Sequence, residues 1–168
     1  LTGGFSDTGP DGVALFHAAH PIDKTGGTVS NTGTSALDFA ALAAGRAALR
    51  RLQTSAGMKM RVEPKFLVCG PELADTAQQL VSSQYTSASL QTNTFMGALT
   101  VVVSSQIDDT DDWFLIGDQT DHHLRMYLGK GPTPEMRIDP ANKALVMDDI
   151  VCLATGYDDF RGAFGAAV

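Results

Sequence analysis

Four histidines, two cysteines and 19 acidic residues carry most of the chemistry that this 168-residue chain can offer. The densest arrangement is His17-Ala18-Ala19-His20, inside Gly12–Gly33, a stretch that ends in a loop rich in Gly and hydroxyls. Two imidazoles three residues apart, with an acid such as Asp23 close by, can hold a metal, and the corresponding reading is a metal-dependent hydrolase. A zincin helix spaces its histidines four apart with a Glu between them. Here Ala18 and Ala19 intervene and Pro21 follows, and zinc sites need three or four ligands. The competing reading has His17 and His20 hydrogen-bonded to loop backbone. The run Asp108-Asp109-Thr110-Asp111-Asp112 fails the EF-hand pattern, because Trp113 and Phe114 fall where a ligand and a Gly are required. It reads as a solvated turn. His122-His123, near Asp118 and Asp121, offers an Asp–His pairing suited to general-base work. No nucleophile or third member accompanies it. Gly129-Lys130-Gly131 lacks the spacing of a phosphate loop. The sequence therefore assigns no catalytic residue, no metal and no cofactor, and the expectation is a protein that works through its surface rather than an enzyme.

The elements that must position these residues follow from periodicity and punctuation. Val13–Phe16 suits a short strand. A helix is expected from Ser35 to Ala56, capped by Thr34 or Ser35 with Asp38 in a capping-box position. Its apolar stripe would be Leu37, Ala41, Ala44, Ala48 and Leu52. Arg46, Arg50 and Arg51 lie toward its C-terminal end, and Gly57 stops it. Gly70-Pro71-Glu72 starts a second helix that ends near Ser83. Strands are expected at Lys59–Val62, Phe66–Cys69, Gly97–Ser104, Trp113–Gly117, Leu124–Leu128, Met136–Ile138 and Ile150–Thr155. The run Val101-Val102-Val103 suggests burial on both faces. Ser82–Asn93 reads as an exposed loop, and the chain closes on a tail of small residues. Two helices and six or seven strands without βαβ alternation make an α+β fold built on a mostly antiparallel sheet.

Totals bound the function. A chain of this length suits one domain or two small lobes and buries roughly 70% of its unfolded surface. The net charge of −7 argues against a dedicated nucleic-acid binder. Cys69 and Cys152 sit in apolar runs and read as buried thiols. No apolar run reaches the length of a membrane span. The opening Leu1-Thr2-Gly3-Gly4 reads as the start of the C-terminal part of a longer protein.

Four blocks, in order, resemble one family. Asp11–Pro21 (DGVALFHAAHP), followed by a Gly- and Asn-containing loop and an Ala-rich helix, resembles the major head subunits of Mu-like tailed phages and prophages. So do Glu63–Leu73, with its Pro, strand and Pro-containing turn into a helix, and the strand Asp112–Asp118. The end, Gly156–Ala163, resembles the family's closing segment, where Arg-Gly follows the last long strand.

This resemblance implies the tailed-phage major capsid fold (Hong Kong phage type), shared with herpesviruses and encapsulins. The helix 35–56 would be its spine. The peripheral lobe would take 1–57 and 132–156, and the axial lobe 58–131 and 157–168. The family's N-terminal arm and extended loop would precede Leu1. The implied function is a structural subunit of an icosahedral phage or prophage head, assembling into hexamers and pentamers around double-stranded DNA. An encapsulin-like cargo shell shares the fold. Implied partners are other copies of the chain, scaffold, portal and head-decoration proteins, and packaged DNA bound without sequence specificity, with no membrane. The implied location is the virion, assembled in the bacterial cytoplasm. Contacts between subunits are expected from Asp108, Asp109, Asp111 and Asp112 against Arg46, Arg50, Arg51 or Arg161.

Overall fold

The computed structural model describes residues 2–22, 27–85 and 92–168. A 3-10 turn at Thr2–Phe5 is followed by three two-residue strands, β1 (His20–Pro21), β2 (Thr28–Val29) and β3 (Thr32–Gly33). Then come helix α1 (Phe39–Arg51), strand β4 (Pro64–Cys69), a 3-10 turn at Pro71–Leu73 and helix α2 (Ala74–Ser82). The strands β5 (Thr100–Val103), β6 (Trp113–Gly117), β7 (Leu124–Lys130), β8 (Pro134–Ile138), β9 (Leu145–Asp149), β10 (Cys152–Tyr157) and β11 (Ala163–Ala166) complete the order. The α+β class stands. The chain divides into two compact units, Leu1–His123 with Asp159–Val168, and Leu124–Asp158.

The first unit is organised around a five-stranded sheet in the order β3-β11-β6-β4-β5. It is mixed, where a mostly antiparallel sheet is expected. β3 runs parallel to β11 and β5 parallel to β4, while β6 is antiparallel to both its neighbours. Every residue of β6 and β11 is buried, so both faces of the sheet centre are covered. Alternation along the strands shows by what. Leu115 pairs with Phe164 on one face, and there α1 lies so close that a Cβ on Gly45 would sit 2.9 Å from Leu115 Cδ1 and 3.1 Å from the Phe164 ring. Phe114 pairs with Gly165 on the other face. There Phe16 and Phe5 approach the Phe114 ring at 5.1 and 5.9 Å, and Phe16 lies directly over Gly165. The closing run of small residues, expected as a tail, is thus a central strand. It is small because a helix presses one face and an aromatic ring the other.

Several elements depart from expectation for local reasons. Helix α1 is 13 residues long, against the expected 35–56. Asp38 is the cap: its side chain accepts the Ala41 N–H at 2.6 Å, while the Ser35 carbonyl is taken by the Trp113 indole N–H at 3.0 Å. At the other end Leu52 leaves the helix and its carbonyl accepts the Met60 N–H at 2.8 Å. Gly57, expected as the helix stop, sits at φ +78 in the turn that follows. The buried stripe is Ala41, Leu42, Gly45 and Leu49, with Leu52 just beyond, whereas Ala44 is exposed. Burying a leucine stabilises by roughly 1.5–3 kcal/mol, which an alanine cannot match, so the leucines set the helix's rotation. Val13–Phe16 forms only a single bridge, Thr8 to Ala14, although Leu15 and Phe16 are buried. Lys59–Val62 also makes only a bridge, Gln53 to Lys59. β5 is a sheet edge with Val102 and Val103 exposed, not a strand covered on both faces. β-branched residues suit both environments, so their run does not distinguish them. Cys69 is buried, but Cys152 is exposed.

The second unit is a nested hairpin. β7 pairs with β10 and, further along, β8 pairs with β9, both antiparallel. The Asp139–Lys143 turn closes it, with the Lys143 N–H donating to the Asp139 carbonyl at 2.9 Å and Lys143 at φ 60.

Candidate functional site

The most elaborate polar arrangement lies where the two-histidine stretch was singled out. His20 is fully buried. Its Nδ1 meets Asp11 Oδ2 at 2.6 Å, and its Nε2 meets the Leu15 carbonyl at 3.2 Å and Asn31 Oδ1 at 3.0 Å. The orientation of Asn31 is fixed, because its amide donates to the Leu15 and Ala163 carbonyls at 2.7 and 3.1 Å and its oxygen accepts the His17 N–H at 2.9 Å. Every group facing His20 is therefore an acceptor by nature. Nε2 faces the Leu15 and Asn31 oxygens and Nδ1 faces the Asp11 carboxyl, so each ring nitrogen is held by an oxygen partner. Phe160 stacks flat on the imidazole, 3.7 Å between centroids and 10° between planes. The Arg161 guanidinium lies 4.8 Å from the Phe160 ring centre.

This arrangement is a clasp. It joins residues 11–31 to 160–163 and satisfies buried carbonyls that would otherwise cost about 1–3 kcal/mol each. Its chemistry is closed, since both imidazole nitrogens are committed. His17 is not brought in as a second ligand: the two rings stand edge to face at 6.0 Å, and His17 Nδ1 accepts the Ala19 N–H at 3.1 Å. Among the described residues no group of three His, Cys, Asp or Glu side chains could hold a metal. Asp23 lies outside the described residues. The hydrolase reading has no support, and the hydrogen-bonded reading of the histidines is what the geometry displays. Asn31, Asp11 and Phe160, which complete the clasp, carry no signal in local sequence. Only the fold brings them together.

The charged residues expected at subunit contacts are spread over the first unit. Arg46 lies 4.1 Å over the Phe95 ring and donates to Thr94 at 3.3 Å. Arg50 makes a two-pronged pair with Glu63 at 2.8 and 2.9 Å. That hydrogen bonding holds the Glu63 carboxyl below the usual carboxylate range. Arg51, Asp108, Asp109 and Asp111 are exposed. Arg161 is engaged inside the chain, donating to the Gln53 carbonyl and to Asp159, each at 2.7 Å. Asp112 corrects the reading of the acidic run as a solvated turn. It is buried, one carboxylate oxygen has no partner, and burial followed by the neighbouring Asp109 pushes its pKa up. It is buried because the next residue, Trp113, opens the covered strand β6. Within the second unit, Arg137 pairs with Asp148 at 2.8 Å and Arg125 with Asp158 at 2.5 Å. The loop expected at Ser82–Asn93 lies partly outside the described residues; within them, Asn93 donates back to the Leu80 and Ser83 carbonyls.

Comparison with known proteins decides what kind of molecule uses such an architecture. The family model described as "Phage capsid protein" matches residues 1–167. The chain belongs to the phage capsid protein family. Among solved structures, a chain from "Satellite phage P4 procapsid including size determination (Sid) protein" is similar to it, with a TM-score of 0.40 and 10% identity over 96% of this chain. The capsid protein described here spans 45% of that chain's length. No curated protein matches it. For a capsid protein the His20 clasp is scaffolding: it fixes the segment that leads into α1 against the strand that ends the chain.

Proposed function

We propose that this capsid protein is the major head subunit of a Mu-like tailed phage or prophage, building an icosahedral shell of hexamers and pentamers around double-stranded DNA. The observation that carries the reading is the family match over residues 1–167. The four ordered sequence blocks support the narrower Mu-like assignment. In this reading the fold is of the Hong Kong phage type, with α1 as the spine, 1–57 and 132–156 as the peripheral lobe, and 58–131 with 157–168 as the axial lobe. The partners are other copies of the chain, with scaffold, portal and decoration proteins joining at assembly. The net charge of −7 suits a wall that encloses DNA without gripping its phosphates. Assembly in the bacterial cytoplasm and residence in the virion follow, and the protein has no catalytic role.

The charged contacts proposed between subunits divide by geometry. Arg51, Asp108, Asp109 and Asp111 are exposed and available to another copy, and Arg46 and Arg50 lie on the same helix with local partners. Asp112 and Arg161 are engaged within the chain and would act by holding their neighbours in place. Single exposed pairs contribute roughly 0–1 kcal/mol, so a shell needs many repeated contacts. Negative-stain electron microscopy of the full-length protein tests the reading: shells, rings or tubes are expected. Stoichiometric bound metal with a hydrolase activity abolished by His17→Ala and His20→Ala would overturn it.

A further inference from the structure

Charge is unevenly placed along this acidic chain. Between Asp38 and Glu72 stand six of its 12 cations, Arg46, Arg50, Arg51, Lys59, Arg61 and Lys65, and one of its 19 acids, Glu63. Folding gathers five of the six. The segment after α1 turns back on the helix end: the Met60 N–H donates to the Leu52 carbonyl at 2.8 Å, and Gln53 bridges to Lys59. The Arg50 fork grips Glu63, and Arg61 Nε lies 3.7 Å from Glu63 Oε1. The charged groups whose fields reach that carboxyl are all guanidiniums, those of Arg50, Arg61 and Arg46. Arg51, Lys59 and Arg61 are exposed. Lys65 stands apart, paired with Asp118 at 2.9 Å, and Arg161, at the Gln53 carbonyl, is neutralised by Asp159. The helix dipole accounts for Arg50 and Arg51 at the end of α1. It does not account for Lys59 and Arg61, which lie beyond the helix. One carboxylate is left facing a surplus of positive charge.

We propose that this patch binds the phosphate backbone of duplex DNA without reading its bases. The proposal rests on the shell-subunit reading, which supplies DNA as the enclosed polymer, and deepens it by naming the surface that meets it. Phosphate contacts of this kind come from Arg and Lys and carry no sequence information. Two observations favour such a polymer over an acidic protein segment. The Arg50 fork, the geometry suited to a single carboxylate, is already taken by Glu63. What remains is charge spread over long exposed side chains, which suits an anion repeated at regular intervals. A protein segment also needs apolar anchors seated in pockets, whereas among residues 46–65 Met58 is the one large apolar side chain that is exposed. The net charge of −7 works with the patch. The acidic remainder of the chain repels phosphate, so contact is confined to one place. It is weak for a single chain and gains strength by repetition across a shell.

Fluorescence anisotropy of a short labelled DNA duplex tests the patch on the full-length protein, held below the concentration at which it assembles. Binding is expected at low salt and equally for two unrelated sequences, with log K falling against log salt at a slope of about −2 to −4. Lys59→Gln with Arg61→Gln is expected to weaken it at least about tenfold and to flatten the slope by about 2. Lys130→Gln with Lys143→Gln, the same charge change in the second unit, is expected to leave affinity and slope as they were. Unchanged emission of the buried Trp113 shows that the first unit is folded in both variants. Equal losses in the two variants overturn the patch. So does displacement of the duplex by polyglutamate at a lower charge concentration than by unlabelled duplex, which gives the patch to an acidic protein segment. Unchanged affinity in the Lys59/Arg61 variant overturns it as well. In each case shells, rings or tubes in the microscope leave the shell-subunit reading standing. DNA binding as expected by a protein that never forms them overturns that reading and leaves the phosphate site.

Discussion

Asn31 is the residue on which the clasp depends, since it alone touches the His17 amide, His20, the Leu15 carbonyl and the Ala163 carbonyl. Asn31→Ala removes the side-chain partner of the His17 N–H and one partner each of His20 Nε2, the Leu15 carbonyl and the Ala163 carbonyl, and is expected to cost roughly 2–4 kcal/mol in urea unfolding, a large share of the ~5–15 kcal/mol typical of a domain. A loss too small to resolve would mean that the clasp is not holding the two ends of the first unit together. The hydrogen-bonded reading of the two histidines is legible here, because His17 and His20 stand without an evident third ligand in the sequence. The clasp itself is not legible, because Asp11, Asn31 and Phe160 lie 9, 11 and 140 residues from His20. Asp112 gives a second test with a definite sign. Its folded pKa lies above the ordinary value because of burial first and Asp109 next, so the ionised form is disfavoured in the native state. The unfolded chain gives up the proton more readily. Stability is therefore full below the ordinary carboxylate range and is lost as pH rises through the higher folded pKa. Asp112→Asn cannot ionise. Its melting temperature relative to wild type should rise between about pH 3 and about pH 7; a difference that is flat with pH would remove burial of the charge as the cause.

Gly45 shows why the element scale is only half legible. A helix with Arg46, Arg50 and Arg51 near its end was readable from charge and periodicity, and so were β6 and α2, whose apolar runs and bounding turns are local. The rotation of α1 and its ends were not, because Asp38, Trp113 and Met60 compete for the same backbone groups from elsewhere in the chain. β11 was missed for a related reason: strand propensity favours large β-branched residues, whereas this strand is squeezed between Phe16 and α1 and must be small. The squeeze is testable. Gly45→Ala gains up to ~1 kcal/mol of helix propensity but places a methyl group 2.9 Å from Leu115 Cδ1, and Leu115 is fully buried with nowhere to retreat. Overpacking of about 1–3 kcal/mol should win, so the variant unfolds at lower denaturant. Leu115→Val removes the clashing atom, and the two changes should couple favourably in a double-mutant cycle. Additive effects would place the contact elsewhere. Gly165→Ala is expected to be worse than Gly45→Ala, because Phe16 lies within 2.9 Å of its Cβ position through three ring atoms.

At the scale of the whole molecule the two units differ in what holds them. The first has a sheet covered on both faces. The second is a pair of ladders whose large apolar side chains are exposed and whose ordering comes from backbone hydrogen bonds, the Asp139–Lys143 turn and surface pairs such as Arg137–Asp148. The turn went unread, although Asp-Pro-Ala-Asn-Lys holds residues that turns favour. The alternation of Met136 with Ile138 was legible, but alternation says only that one face is apolar, not whether the same chain covers it. The order of the four sequence blocks pointed to the family, which local propensity never could. Cooperative units open with their own free energies, and a ribbon with few buried contacts belongs at the low end of that range. In hydrogen exchange on dilute, unassembled chain, the amides of β8 and β9 should therefore exchange far ahead of those in β4, β6 and β11. Protection in the dilute chain equal to that of β6 would show that the ribbon is as firmly ordered as the covered sheet.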